Sequence, residues 1–206
     1  MEIIFKIFLA IFSIINPFGT IPIFLSLTSE MSKKDITKVS LLTCLYVLII
    51  LLISFFMGNH LLYFFGISID SLRIGGGIVI ASSGFSLLTG NFNKHKGMKK
   101  KYIEEELSAK SEIAFTPLAI PMLAGPGTIS TLIGYRNIYT DSNSVVFLCI
   151  ALVSVIFAIF IILKSSQLIF KVLGSSGLNA LSRIIGFFLI AIGTEQILKT
   201  VLKIIG

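Results

Sequence analysis

The chain has 206 residues and a formal net charge of +7; 55% of its residues are apolar and only 13% are charged. That charged share is about half the usual one for a soluble domain, and the mean hydropathy is +0.98. A single water-soluble core of this length cannot enclose so much apolar surface, which excludes an ordinary soluble enzyme, a disordered chain and a secreted disulfide scaffold. What remains is a polytopic membrane protein whose apolar faces are solvated by lipid.

Apolar runs fall at residues 3–27, 39–57, 71–89, 113–135, 144–163 and 181–202. Each is close to the roughly 20 residues that a spanning helix needs. Backbone groups in lipid must pair among themselves, so six helices are predicted. The first run begins Met-Glu-Ile-Ile-Phe-Lys and lacks the basic start and the small-residue cleavage pattern of a signal peptide, so it reads as the first helix. It contains Asn16-Pro17-Phe18-Gly19-Thr20-Ile21-Pro22. Proline removes an amide hydrogen and clashes with the carbonyl four residues back. Pro17 is therefore expected to free the Ser13 carbonyl, and Pro22 that of Phe18.

The second run is uncharged and holds Cys44. The third holds Arg73, Gly75-Gly76-Gly77 and Ser82-Ser83-Gly84. These small residues predict a close-packing surface, and no Lys-Ser/Thr follows the glycines to make a phosphate loop. Residues 91–112 form a charged connector that includes Lys99-Lys100-Lys101 and Glu104-Glu105-Glu106. It reads as solvated and helical, with binding of anionic lipid headgroups as the alternative. The fourth run carries Pro117, Pro121 and Gly125-Pro126-Gly127-Thr128-Ile129-Ser130, and Pro126 is expected to free the Met122 carbonyl. The fifth is uncharged and holds Cys149. Both cysteines read as small buried residues.

The sixth run contains Arg183 and Glu195. An intramembrane carboxylate is a functional candidate, for coupling a proton or meeting a substrate ammonium. The alternative is an i,i+4 pair with Lys199. Arg73 and Arg183 read as snorkelling anchors, or as gate or salt-bridge residues, with Asp70 the partner of Arg73. His60 and His95 stand alone and far apart, so no metal site is predicted. No nucleophile–base arrangement occurs, so neither enzymatic activity nor a cofactor is expected.

The chain repeats itself. Asn-Pro-x-Gly-Thr-Ile aligns with Gly-Pro-Gly-Thr-Ile at an offset of 108 to 109 residues. Arg73, Ile74, Gly76, Ile80 and Ala81 match Arg183, Ile184, Gly186, Ile190 and Ala191 at an offset of 110. Each half has three spans, an odd number, so the second half must enter the membrane from the opposite side. The predicted fold is an all-α membrane protein of six transmembrane helices in an inverted 3+3 repeat. It forms one domain over 1–206, with a first repeat at 1–90, a cytoplasmic linker at 91–112 and a second repeat at 113–206. Cys44 and Cys149 then lie at opposite depths, and no disulfide is expected between them.

Asn16 lies about 20 Å along the first helix and Gly125 about 18 Å along the fourth, at 1.5 Å per residue. Helices 1 and 4 are thus predicted to break at their Pro/Gly motifs and to resume near Gly19-Thr20 and Gly127-Thr128. Both new N-termini then point at the midplane, where unpaired amides and the helix dipole suit a carboxylate. Asn16, Pro17, Gly19, Thr20, Gly125, Pro126, Gly127 and Thr128 are the candidate binding residues. Proline kinks that merely shape the bundle are the alternative.

Twelve lysines and arginines fall in the loops assigned after helices 1, 3 and 5, against five on the opposite side. Those loops are predicted cytoplasmic and both termini outward. The positive charge therefore reflects topology and implies no nucleic acid partner. The lipid bilayer and a small solute are the expected partners, and a homo-oligomer is left open.

The segments Asn16 to Thr28, Phe65 to Gly77, Pro117 to Ser130 and Arg183 to Glu195 resemble the MarC family of integral membrane proteins, the middle and last being closest to its YchE-like branch. The resemblance implies a bacterial inner-membrane protein of six spans, distantly related to amino-acid exporters of the LysE type. Transport of small neutral amino acids is attributed to some members. Two functions follow as expectations: a secondary transporter of small solutes such as neutral amino acids, or a non-transporting membrane scaffold or assembly protein.

Overall fold

The computed structural model describes residues 2–89 and 106–205. Most of the charged connector, with His95 and the lysine and glutamate runs up to Glu105, lies outside the described residues. All regular elements described are helical: α1 (Glu2–Ile15), α2 (Pro17–Leu27), α3 (Lys33–Phe64), α4 (Ile69–Thr89), α5 (Glu106–Ile113), α6 (Pro126–Ile138), α7 (Ser142–Lys164) and α8 (Ser166–Ile205). Four of these, α3, α4, α7 and α8, are long and apolar enough to cross a membrane. The count rises to six if the bent pairs, residues 4–27 and 110–138, are each one span.

The chain breaks where proline and glycine cluster. α1 and α2 meet at 42°, and the chain on either side of Gly125 at 63°. Pro17 and Pro126 each open the helix after the break, where no amide is needed and the fixed φ suits the first turn. Pro22 lies inside α2, which continues to Leu27. Between α5 and α6, residues 114–123 wind more widely than an α-helix. Thr116 and Ile120 are extended there, as the ring of a following proline requires. Both prolyl bonds in this segment, Thr116-Pro117 and Ile120-Pro121, are cis.

The stretch expected to be a loop between the fifth and sixth helices is instead helical. α8 begins at Ser166, with one interruption at Gly174 (φ 65°). Lys164 and Lys171 end the hydropathic run there, but lysine is a good helix former. The apolar run stops while the helix does not. α5 and α3 are joined by an ion pair between Lys110 and Asp35 at 2.9 Å and by the Tyr46–Ser111 hydroxyl pair at 2.7 Å. Asp141 caps α7 through the Ser144 amide at 2.9 Å, which holds its carboxyl below the usual range.

The core gathers α1, α3, α7 and residues 114–123 around Ile11, Leu51, Phe55, Leu118, Leu152 and Ile159. On the outside of α3, Leu41, Leu45, Ile49 and Ile53 repeat every four residues and are exposed. α7 exposes Val146, Ile150, Val153, Phe157 and Ile161 in the same manner. Helices that are apolar all round, with whole stripes uncovered, belong in lipid. α4 and α8 form a second unit and run antiparallel. Gly77 faces Gly193, and Gly84 faces Gly186, close enough that any Cβ would strike the opposite backbone. Cys44 is buried, and both cysteines are free thiols.

Candidate functional site

The two breaks line one cavity of about 530 Å³, within the roughly 300–1,000 Å³ of small-molecule sites. Ile14, Ile15, Asn16, Gly19 and Thr20 come from the first break, and Gly125, Pro126, Gly127 and Thr128 from the second. Pro117, Pro121 and Met122 close one wall, and Ile80 and Leu189 form another. Of the eight motif residues predicted to bind, only Pro17 does not line the cavity. It is buried in the first turn of α2.

Asn16 has a left-handed backbone (φ 50°, ψ 63°), a conformation that asparagine tolerates better than most residues. Its side chain turns back to accept from the Gly19 amide at 3.2 Å. A Cβ at position 19 would collide with the Asn16 side-chain nitrogen, so a larger residue there displaces this cap. The Asn16 Nδ2 donors are left without a partner among the described residues. Thr20 is 2% exposed, and its hydroxyl likewise has no partner among the described residues. It is not among the side-chain oxygens that are wholly enclosed and unpaired. α6 has no side-chain cap. The Gly127 and Thr128 amides meet no backbone carbonyl, since the first bond of that turn runs from Ile129 to Gly125. The site thus offers hydrogen-bond donors from both helix N-termini, where the dipoles favour negative charge.

Asn16→Gly and Asn16→Ala separate these roles. Glycine takes the left-handed backbone freely and costs a few tenths of a kcal/mol as a cap. Alanine loses the cap and adopts the strained backbone, at about 2–3 kcal/mol together. Thermal unfolding in detergent is expected to show Asn16→Ala well below Asn16→Gly. Both are expected to bind solute more weakly, since both lack Nδ2.

The cavity runs toward the end of the molecule where α2 and α4 terminate. Ile23, exposed Ser26 and Leu27 line it on α2, and Ser83 and Leu87 on α4. The opposite end is closed where α4 meets α6. Ser130 donates to the Leu72 carbonyl at 2.9 Å, and Arg73 to that of Gly134 at 3.2 Å. Gln196 donates to the Arg73 carbonyl at 3.0 Å, and Gly76 packs against the Ser130 side chain.

The other candidates lie outside the cavity. Arg73 belongs to the closing contacts and also approaches Asp70 at 3.9 Å. Arg183 is exposed on α8. The Glu195 side chain is 57% exposed and pairs with Lys199 at 2.9 Å, the i,i+4 arrangement. No ionisable side chain lines the cavity among the described residues. Ile80, Ser83 and Leu189 were not singled out for binding. The only hints in sequence were the repeat match of Ile80 with Ile190 and the small residues at 82–84.

The family model for MarC family integral membrane proteins matches residues 1–205. The chain belongs to the MarC family. Its relatives include the UPF0056 membrane protein YhcE of Escherichia coli K12, 35% identical over 94% of this chain and 89% of that protein. A UPF0056 membrane protein of Aquifex aeolicus is 35% identical over 96% of this chain and 93% of its own length. The UPF0056 inner membrane protein MarC of Citrobacter koseri is 35% identical over 92% and 90%. No solved structure matches the chain. As a MarC family member it is an integral membrane protein, and the cavity between its broken helices is the feature that needs a function.

Proposed function

We propose that this MarC family protein is a secondary transporter of small carboxylate-bearing solutes such as neutral amino acids, working in the bacterial inner membrane. The observation that carries the reading is that two Pro/Gly breaks, more than 100 residues apart in sequence, line one cavity and aim unpaired donors into it. Paired broken helices at a shared site are the plan of many secondary transporters.

Six spans in an inverted 3+3 repeat, with halves at 1–90 and 113–206 joined by a cytoplasmic linker, fit this role. The facing pairs Gly77–Gly193 and Gly84–Gly186 are antiparallel and equally spaced on both helices. Midway between them lie Ile80 and Ile190, which the sequence repeat also relates. Contact register and repeat offset agree on this midpoint beside the cavity, which supports the inverted-repeat reading. The mouth lies at the ends of α2 and α4, which precede the lysine-rich segments 33–38 and 94–101, so it faces the cytoplasm and both termini face outward.

The test is counterflow of labelled alanine and glycine in liposomes holding purified protein. Cysteine probes at Ser26 and Ser130 accompany it in a chain lacking Cys44 and Cys149. Exchange is expected, with Ser26→Cys labelled readily by a water-soluble maleimide and Ser130→Cys slowly. No exchange of a broad solute panel, with both probes unreactive, would return the protein to a scaffold role.

A further inference from the structure

The donors account for a carboxylate, but a neutral amino acid also carries an ammonium. Among the described residues, no aspartate or glutamate lines the cavity to receive it. Its wall is otherwise isoleucine, leucine, valine, proline and methionine, with small hydroxyls. A lone charge in such surroundings is costly unless it is paired.

The breaks themselves supply acceptors. A helix C-terminus leaves carbonyls unpaired as surely as an N-terminus leaves amides. At the end of α1 the last bond runs from the Asn16 amide to Phe12. Pro17 has no amide to offer Ser13, and Gly19 turns to Asn16 instead. The carbonyls of Ser13, Ile14 and Ile15 therefore have no partner among the described residues, and Ile14 and Ile15 line the cavity. Before the second break, Ala124 bonds to Ala119, and the Pro121 and Met122 carbonyls are passed over in the same wall. Each break thus sets the negative end of one helix beside the positive end of the next.

Resting on the transporter reading, we infer that the main-chain carbonyls at the broken ends, those of Ile14 and Ile15 foremost, hold the ammonium of the solute, so that the cavity takes net-neutral zwitterions and contributes no proton of its own. Thr20 and Asn16, buried with unpaired donors, mark the carboxylate end. The carbonyls mark the other. A zwitterion satisfies both and leaves no net charge in the apolar cavity. A monocarboxylate or an alkylammonium satisfies one and leaves the other set dry and unpaired. With no acid or base in the wall among the described residues, nothing there titrates where the solute stays zwitterionic.

The experiment is calorimetric binding of L-alanine, propionate and ethylamine to the intact purified protein. It is run between about pH 5 and pH 7, where an amino acid keeps both charges. Alanine is expected to bind with a dissociation constant that changes less than about twofold over that range. Propionate and ethylamine are expected to bind at least about tenfold more weakly, the cost of stranding a buried polar set. Propionate binding as tightly as alanine overturns the carbonyl seat and leaves the carboxylate site standing. An alanine constant that moves about tenfold with pH overturns the absence of a protonating group. If folded protein binds none of the three, the seat and the transporter reading fall together.

Discussion

Gly127→Leu is expected to reduce alanine counterflow to background while the protein remains folded. Gly127 stands in the first turn of α6, at the donor end of the cavity. A Cβ built there lies 2.6 Å from Ile80 Cγ1. Isoleucine is branched at Cβ and stiff at χ1, so this atom cannot swing aside as the tip of a long side chain would. Even alanine forces α4 and α6 apart or twists Ile80. Overpacking of this kind costs about 1–3 kcal/mol, which is roughly five- to 150-fold in affinity if it falls on the bound state. Leucine also fills the space in front of the Gly127 and Thr128 amides. Ile80→Ala is therefore expected to restore much of the exchange in Gly127→Ala and little in Gly127→Leu. Equal rescue of both would mean that packing alone mattered and that the amides are not part of the site. Monodisperse elution in detergent separates loss of function from loss of fold.

The breaks were legible in the sequence because proline and glycine act on the main chain locally, whatever surrounds them. The repeat made two such signals into a pair, and both reached the cavity. The wide winding at 114–123 was less visible. Pro117 and Pro121 were seen, but the extended residues before them, Thr116 and Ile120, already leave the helix well ahead of Gly125. Glu195 shows a different limit. Hydropathy reports depth along a helix and says nothing of the face a residue takes. Gly193 is buried against Gly77 and Ala81, and two residues further on is about 200° round an α-helix. Glu195 must therefore point away from α4, out to Lys199. Once the glycines are assigned to the seam, this azimuth follows.

That seam carries the second large effect. Gly84→Ala would set a Cβ 2.5 Å from the Gly186 carbonyl oxygen and 2.8 Å from the Ile190 amide nitrogen. Gly186→Ala does the reverse, at 2.6 Å from the Gly84 oxygen. Both obstacles are backbone, so no side chain can give way and α4 must part from α8. Gly75 is the internal control, because a Cβ there meets nothing within 4 Å. In the middle of α4, alanine is favoured over glycine by up to about 1 kcal/mol. Cys44, 3% exposed in the core, is a native reporter of unfolding: in a Cys149→Ser background its thiol reacts with a fluorogenic maleimide only as the core opens. Gly84→Ala and Gly186→Ala are each expected to lower the labelling midpoint by about 2–10 °C, from an overpacking cost of about 1–3 kcal/mol. Gly75→Ala is expected to leave it unchanged or slightly higher. If all three behaved alike, the fall would reflect a general intolerance of α4, and the seam would lose its standing as a backbone-to-backbone contact. If only the facing glycines fall, α4 and α8 touch backbone to backbone at the Gly77–Gly193 and Gly84–Gly186 crossings. For the proposed transporter, small residues there would leave few interlocking side chains to resist α4 sliding on α8, as a rocking motion would require.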